Sequence, residues 1–163
     1  MTGDAIAFVL GNLPAFLFVA ALIIAALTHT PANTAERYLA WLLLLPVGGS
    51  GLWAALFHLG FPDTAARMIG WEPSPFQFEV GMADLAIGVA AVASFWRDLS
   101  FKAAVVLVNA IFLLGDAYGH VKQMIVAENL APGNAGTPFF SDIILPLLTV
   151  ALLIVARRSD YRR

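Results

Sequence analysis

The chain contains no cysteine. That excludes disulfides, thiolate metal sites, iron–sulfur ligation and a cysteine nucleophile. Charge is scarce too. Only 12% of the 163 residues are charged, whereas a soluble domain carries about 25%. The formal net charge is −2 and the only arginine cluster sits at the C-terminus, so nucleic acid is not an expected partner. No phosphate-binding loop, nucleotide site or nucleophile with its base is visible. A basic leader is also missing. The first charged side chain is Asp4, and no Lys or Arg precedes Arg37, so the first apolar segment reads as a retained span rather than a cleaved signal peptide.

What the chain has is apolar surface: 60% of it is hydrophobic. A soluble domain of this size cannot hide so much from water, but lipid solvates it. The expected fold is therefore all-α: one integral membrane helical bundle over residues 1–163, with the lipid bilayer as its first partner. A span takes about 20 apolar residues. Five segments qualify or nearly so: 5–27, 38–59, 76–96, 101–128 and 143–156. The fourth turns polar from Asp116 onward. The fifth is short and borrows Phe139 and Phe140 at its start. Residues 62–69 read as a short interfacial helix, with Trp71 at the headgroup level beside it. Ser74-Pro75 and Ser100 mark helix starts, and 131–138, rich in Pro and Gly, reads as a loop.

Five spans place the termini on opposite sides. One side then holds Arg37, Arg97, Lys102, Arg157, Arg158, Arg162 and Arg163, and the other holds Arg67 and Lys122. The positive-inside bias predicts a cytoplasmic C-terminus and an outside N-terminus, in a bacterial inner membrane.

An ionisable group in a spanning helix is costly and calls for a partner or a job. The candidates are His58, Glu79, Asp84, Asp116 and His120. With a rise of about 1.5 Å per residue, Glu79 lies roughly 5 Å and Asp84 roughly 12 Å below the outer start of the third span. Asp116 stands about 22 Å up the fourth span, with His120 one turn beyond and His58 closing the second span. His58, Glu79, Asp116 and His120 thus share one outer layer, with Asp84 just beneath. Asp116 and His120, at i and i+4, share a helix face. Asn109 and Lys102 follow at one and two heptads below Asp116, which makes a polar stripe on an apolar helix. Gly51, Ala54 and His58 form one small-residue face, and Gly81, Asp84, Gly88 and Ala91 form another. Glu79 and Asp84 point about 140° apart, so they are not expected to share one ligand set.

Residues 57–88 (FHLGFPDTAARMIGWEPSPFQFEVGMADLAIG), 115–120 (GDAYGH) and Ser141-Asp142-Ile143 resemble a family of small bacterial membrane proteins, the domain of unknown function six-seven-nine-zero. Glu79-Val80-Gly81, Ala83, Leu85-Ala86-Ile87-Gly88, Gly119-His120 and the Ser-Asp pair match its pattern. Asp84 stands where the pattern has Asn, and His58 and Asp116 have no equivalent in it. The resemblance implies a helical membrane bundle carrying Glu79 and His120. It implies no reaction.

Carboxylates and imidazoles inside a bundle suit iron, copper, manganese or zinc. Asp116 and His120 would chelate from one face, with Glu79 and His58 completing the metal shell. Three further readings stand beside this one. Haem b would use His58 and His120 as axial ligands. An accessory subunit of a larger membrane complex, or a homo-oligomer, would use the small-residue faces. A proton or solute path would follow the stripe Lys102–Asn109–Asp116–His120. The plainer alternative pairs Asp116 with His120 or Lys122 and leaves Glu79 at a helix N-terminus, where the dipole favours a carboxylate.

Overall fold

The computed structural model describes residues 11–160, and these form helices joined by short loops, with no strand. The helices, in chain order, are α1 (Leu13–Thr28), α2 (Thr34–Gly60), α3 (Pro62–Ile69), α4 (Phe76–Ser94), α5 (Leu99–Val126), α6 (Pro132–Ala135) and α7 (Thr137–Asp160). Among the described residues, α2, α4, α5 and the stretch Pro132–Ser159 are long and apolar enough to cross a membrane, and α1 is a shorter apolar helix. Their large apolar side chains point outward: Ile23, Val89, Leu107, Ile111, Leu147 and Val155 are all exposed. Such an exterior suits lipid. The expected start of the first span, 5–10, lies outside the described residues.

Three features differ from expectation. The last helix is not the short 143–156 segment. It begins at Thr137, because Pro138 sits in its first turn, where proline's missing N–H costs nothing. Most of the expected loop 131–138 is likewise helical, with Pro132 opening the single turn of α6. The fourth span is capped by Asp98 rather than Ser100: the Asp98 carboxylate accepts the Phe101 N–H at 2.8 Å.

Helix α2 changes its winding around Pro46. Proline removes one backbone donor, and residues Leu43–Gly49 adopt a wider π turn before the α-helix resumes at Ser50. Just beyond it α2 presses on α4. A Cβ on Gly88 would lie 2.9 Å from the Leu52 N, and one on Gly51 would lie 3.2 Å from the Gly88 Cα. These two backbones touch because neither residue has a side chain. The core proper lies lower, where Leu39, Leu43 and Val47 of α2 meet Ala91, Val105, Val106 and Leu145.

Helix α3 ends at Gly70, with φ 75°. That left-handed turn suits glycine, and a Cβ there would meet the Asn129 Oδ1 at 2.9 Å. Asn129 in turn donates from its Nδ2 to the carbonyls of Ile69 (3.0 Å) and Gly70 (3.1 Å). The α3 end is thereby tied to the loop that follows α5.

Candidate functional site

At the same end of the bundle, three chain segments meet around His120. Asn134, on the short α6, is fully buried (0% exposed) and serves as their junction. Its Oδ1 accepts from the Trp71 Nε1–H at 2.9 Å, and the His120 Nδ1 lies 2.8 Å from that same oxygen. Its Nδ2 donates to the carbonyls of Asn129 (2.9 Å) and His120 (3.3 Å).

This network assigns a tautomer. The indole N–H of Trp71 can only donate, so the atom it meets is the amide oxygen of Asn134. The Asn134 nitrogen faces two carbonyls, which agrees. The amide oxygen can only accept, so the His120 Nδ1 carries a proton and donates it. In neutral His120 the Nε2 is then a bare lone pair.

That Nε2 points at a carboxylate. The Asp142 Oδ2 lies 3.4 Å away, and both side chains are largely buried. The rings of Trp71 (5.7 Å between centroids) and Phe139 (6.4 Å) flank the imidazole. Asp142 comes from the first turns of α7, and His120 from the upper part of α5. Two further carboxylates stand within electrostatic reach. Asp84 of α4 feels the charges of Asp116 and Asp142, and Asp116 of α5 feels those of Asp142 and His120. Three helices therefore contribute three carboxylates and one imidazole that lie within electrostatic reach of one another.

The expected set Glu79, Asp116, His120 and His58 does not assemble as one shell. Glu79 is exposed on α4, turned away from Asp84 as the 140° offset requires. His58 is half-buried and packs against Gly81, whose Cβ would stand 2.9 Å from the His58 Cβ. Its buried Nδ1 has no hydrogen-bond partner. Asp116 and His120 do share the inner side of α5, but the partner at the His120 Nε2 is Asp142. Among the described residues, no three His, Asp or Glu side chains converge closely enough to hold a metal ion as they stand.

Sequence reasoning missed Asp142 and Asn134 as site residues. The signal for Asp142 was Pro138: a helix starting there puts Asp142 about 6 Å inside α7 rather than in a loop. For Asn134 the sequence offers no signal of its role, because the ring partners that make it a junction, His120 and Trp71, lie 14 and 63 residues away.

A family model described as a family of unknown function (DUF6790) matches residues 11–162, nearly the whole chain. No curated protein and no solved structure matches it.

Proposed function

Since the chain belongs to this family of unknown function, its activity must be read from the site, and we propose that it is a membrane protein that binds a cation between His120 and Asp142. The observation that carries this reading is the bare Nε2 lone pair, fixed by Trp71 and Asn134 and aimed at a carboxylate oxygen 3.4 Å away. Two lone pairs facing each other repel unless a positive charge lies between them. Asp84 and Asp116 add up to two more negative charges nearby, and an apolar bundle does not hold unbalanced charge cheaply. The simplest occupant is a proton shared by imidazole and carboxylate, with Asp116 and Asp84 as further carriers.

One observation favours a second occupant, a divalent or transition-metal ion such as zinc, iron, copper or manganese. Two ligands about 2.0–2.2 Å from one tetrahedral ion lie about 3.3–3.6 Å apart, which is the separation of Nε2 and Oδ2. The Nδ1–H donated to the Asn134 oxygen is the outer hydrogen bond that metal-bound imidazoles keep. Asp116 would have to swing inward to supply a third ligand. A bis-histidine haem would need the Nε2 that faces Asp142, so it draws no support from this geometry.

The arginine excess at the Lys102 end favours that end in the cytoplasm of a bacterial inner membrane, with His120 near the outer face.

The test uses purified protein in detergent. Elemental analysis and a visible spectrum follow exposure to zinc, iron, manganese and copper. In parallel, 15N-imidazole NMR and carboxyl infrared bands are followed between about pH 5 and 8, the range of histidine titration. Stoichiometric metal lost in Asp142→Asn identifies a metal ion, whereas a His120 titration without metal, altered by Asp142→Asn, identifies the proton. A His120 indifferent to Asp142→Asn in both arms sinks the reading.

A further inference from the structure

The bundle has a second group of buried polar side chains, at the end opposite His120. A cavity of about 300 Å³ lies beneath the α1–α2 loop, lined by Thr34, Glu36 and Tyr38 on one side and by Leu152, Val155 and Ser159 of α7 on the other. Glu36 is partly open to it, and its Oε1 accepts from the Lys102 Nζ at 3.4 Å. Lys102 itself is 3% exposed and also donates to the Arg97 carbonyl. One heptad further along the inner side of α5 comes Asn109, 2% exposed. Its Nδ2 is buried and has no hydrogen-bond partner in the protein. One heptad beyond that is Asp116. With His120 and Asp142 level, antiparallel register puts the buried Thr149 of α7 level with Leu113, between Asn109 and Asp116. The Thr149 hydroxyl donates to the Leu145 carbonyl, which leaves its lone pairs open.

We propose that this cavity is the inner mouth of a proton path that runs along α5, through Asn109, to the His120–Asp142 pair, and that Lys102 gates it. The proposal deepens the cation-site reading and rests on it. Successive polar groups on α5 are about 10 Å apart, so the path requires bridging waters between them. The Asn109 amide is what points to water. A buried donor without a protein partner is normally satisfied by a solvent molecule. No bond is made or broken overall: each hop passes a proton from donor to acceptor along a hydrogen bond, from the Glu36 carboxyl through water to Asp116 and then to the site. The Lys102 ammonium stands in the path as a fixed positive charge and repels a proton while it is held on Glu36 and the Arg97 carbonyl.

The experiment is proton uptake into liposomes carrying the full-length protein, with a trapped pH-sensitive dye and an imposed gradient. Wild-type protein should pass protons faster than protein-free vesicles. Asn109→Leu and the isosteric Thr149→Val should each return the rate to the protein-free level. Asn109→Ser, which keeps a small polar group, should retain the flux. Lys102→Met should raise it. Wild-type flux equal to that of empty vesicles overturns the proposal, as does Asn109→Leu flux equal to wild type. A Lys102→Met rate at or below wild type overturns the gate. Circular dichroism and detergent elution report whether each variant folds, and Thr149→Val carries the test if Asn109→Leu does not. Failure here leaves the NMR and elemental readouts of cation binding untouched. Loss of those readouts with flux intact would instead defeat the site reading.

Discussion

The α2–α4 seam and the α5–α7 seam are both antiparallel helix contacts, yet they are built from opposite materials. At the first, Gly51 and Gly88 bring two backbones together with nothing between them. At the second, His120 faces Asp142 and polar groups lie along the helix. In lipid, where apolar side chains gain nothing by leaving the solvent, close van der Waals contact is a cheap way to hold helices together. The glycine seam needs no charge for that task. The proposed cation gives the charges of the second seam a role other than adhesion.

The sharpest way to break this contrast is to fill the glycine seam. Gly88→Leu forces a side chain into the Leu52 backbone and should destabilise by about 3 kcal/mol or more. Intrinsic tryptophan fluorescence during thermal unfolding in detergent would show it. A wild-type melting point would mean the seam does not hold the helices. Next in size is Asn134→Leu. It strands the Trp71 N–H, the His120 Nδ1–H and two carbonyls, so about 2–3 kcal/mol should be lost. The NMR signature of a single His120 tautomer should disappear with it.

Asp142→Asn sharpens the contrast from the other side. Asp142→Asn keeps the side-chain shape, removes a buried charge and lets the new amide N–H donate to the bare His120 Nε2, so stability should change by less than about 1 kcal/mol. Cation binding should nevertheless vanish. A large loss of stability would make α5–α7 a structural seam after all. The smallest effect belongs to Glu79→Gln. Exposed and outside the cluster, Glu79 should leave melting and cation binding unchanged, within about 0.5 kcal/mol. A clear drop in cation binding would return it to the site.

Hydropathy alone placed most of the apolar helices, and the short helix Pro62–Ile69 matches its expected limits. It failed at α7, where Pro138, Ser141 and Asp142 lower the local average although all three belong to the helix. The i, i+4 spacing placed Asp116 and His120 on one side of α5, since spacing along a single helix is a local property. It could not say which residue on another helix stands opposite. His58 and Glu79 have suitable depth and the wrong azimuth: one turns to Gly81 and the other turns outward. Register between helices is set by contacts such as Gly51 on Gly88, and these are invisible in a single sequence.

The place of Asn134 in the chain has a consequence for biosynthesis. Trp71 and His120 both emerge from the ribosome before Asn134 and Asp142. A nascent chain that has inserted α1 to α5 therefore carries an imidazole whose proton has no fixed seat and no carboxylate opposite. The last helix hairpin supplies both at once. A chain truncated after α5 would keep Trp71, Asp84, Asp116 and His120 but neither Asn134 nor Asp142, so the final insertion step is the one that completes the His120 network.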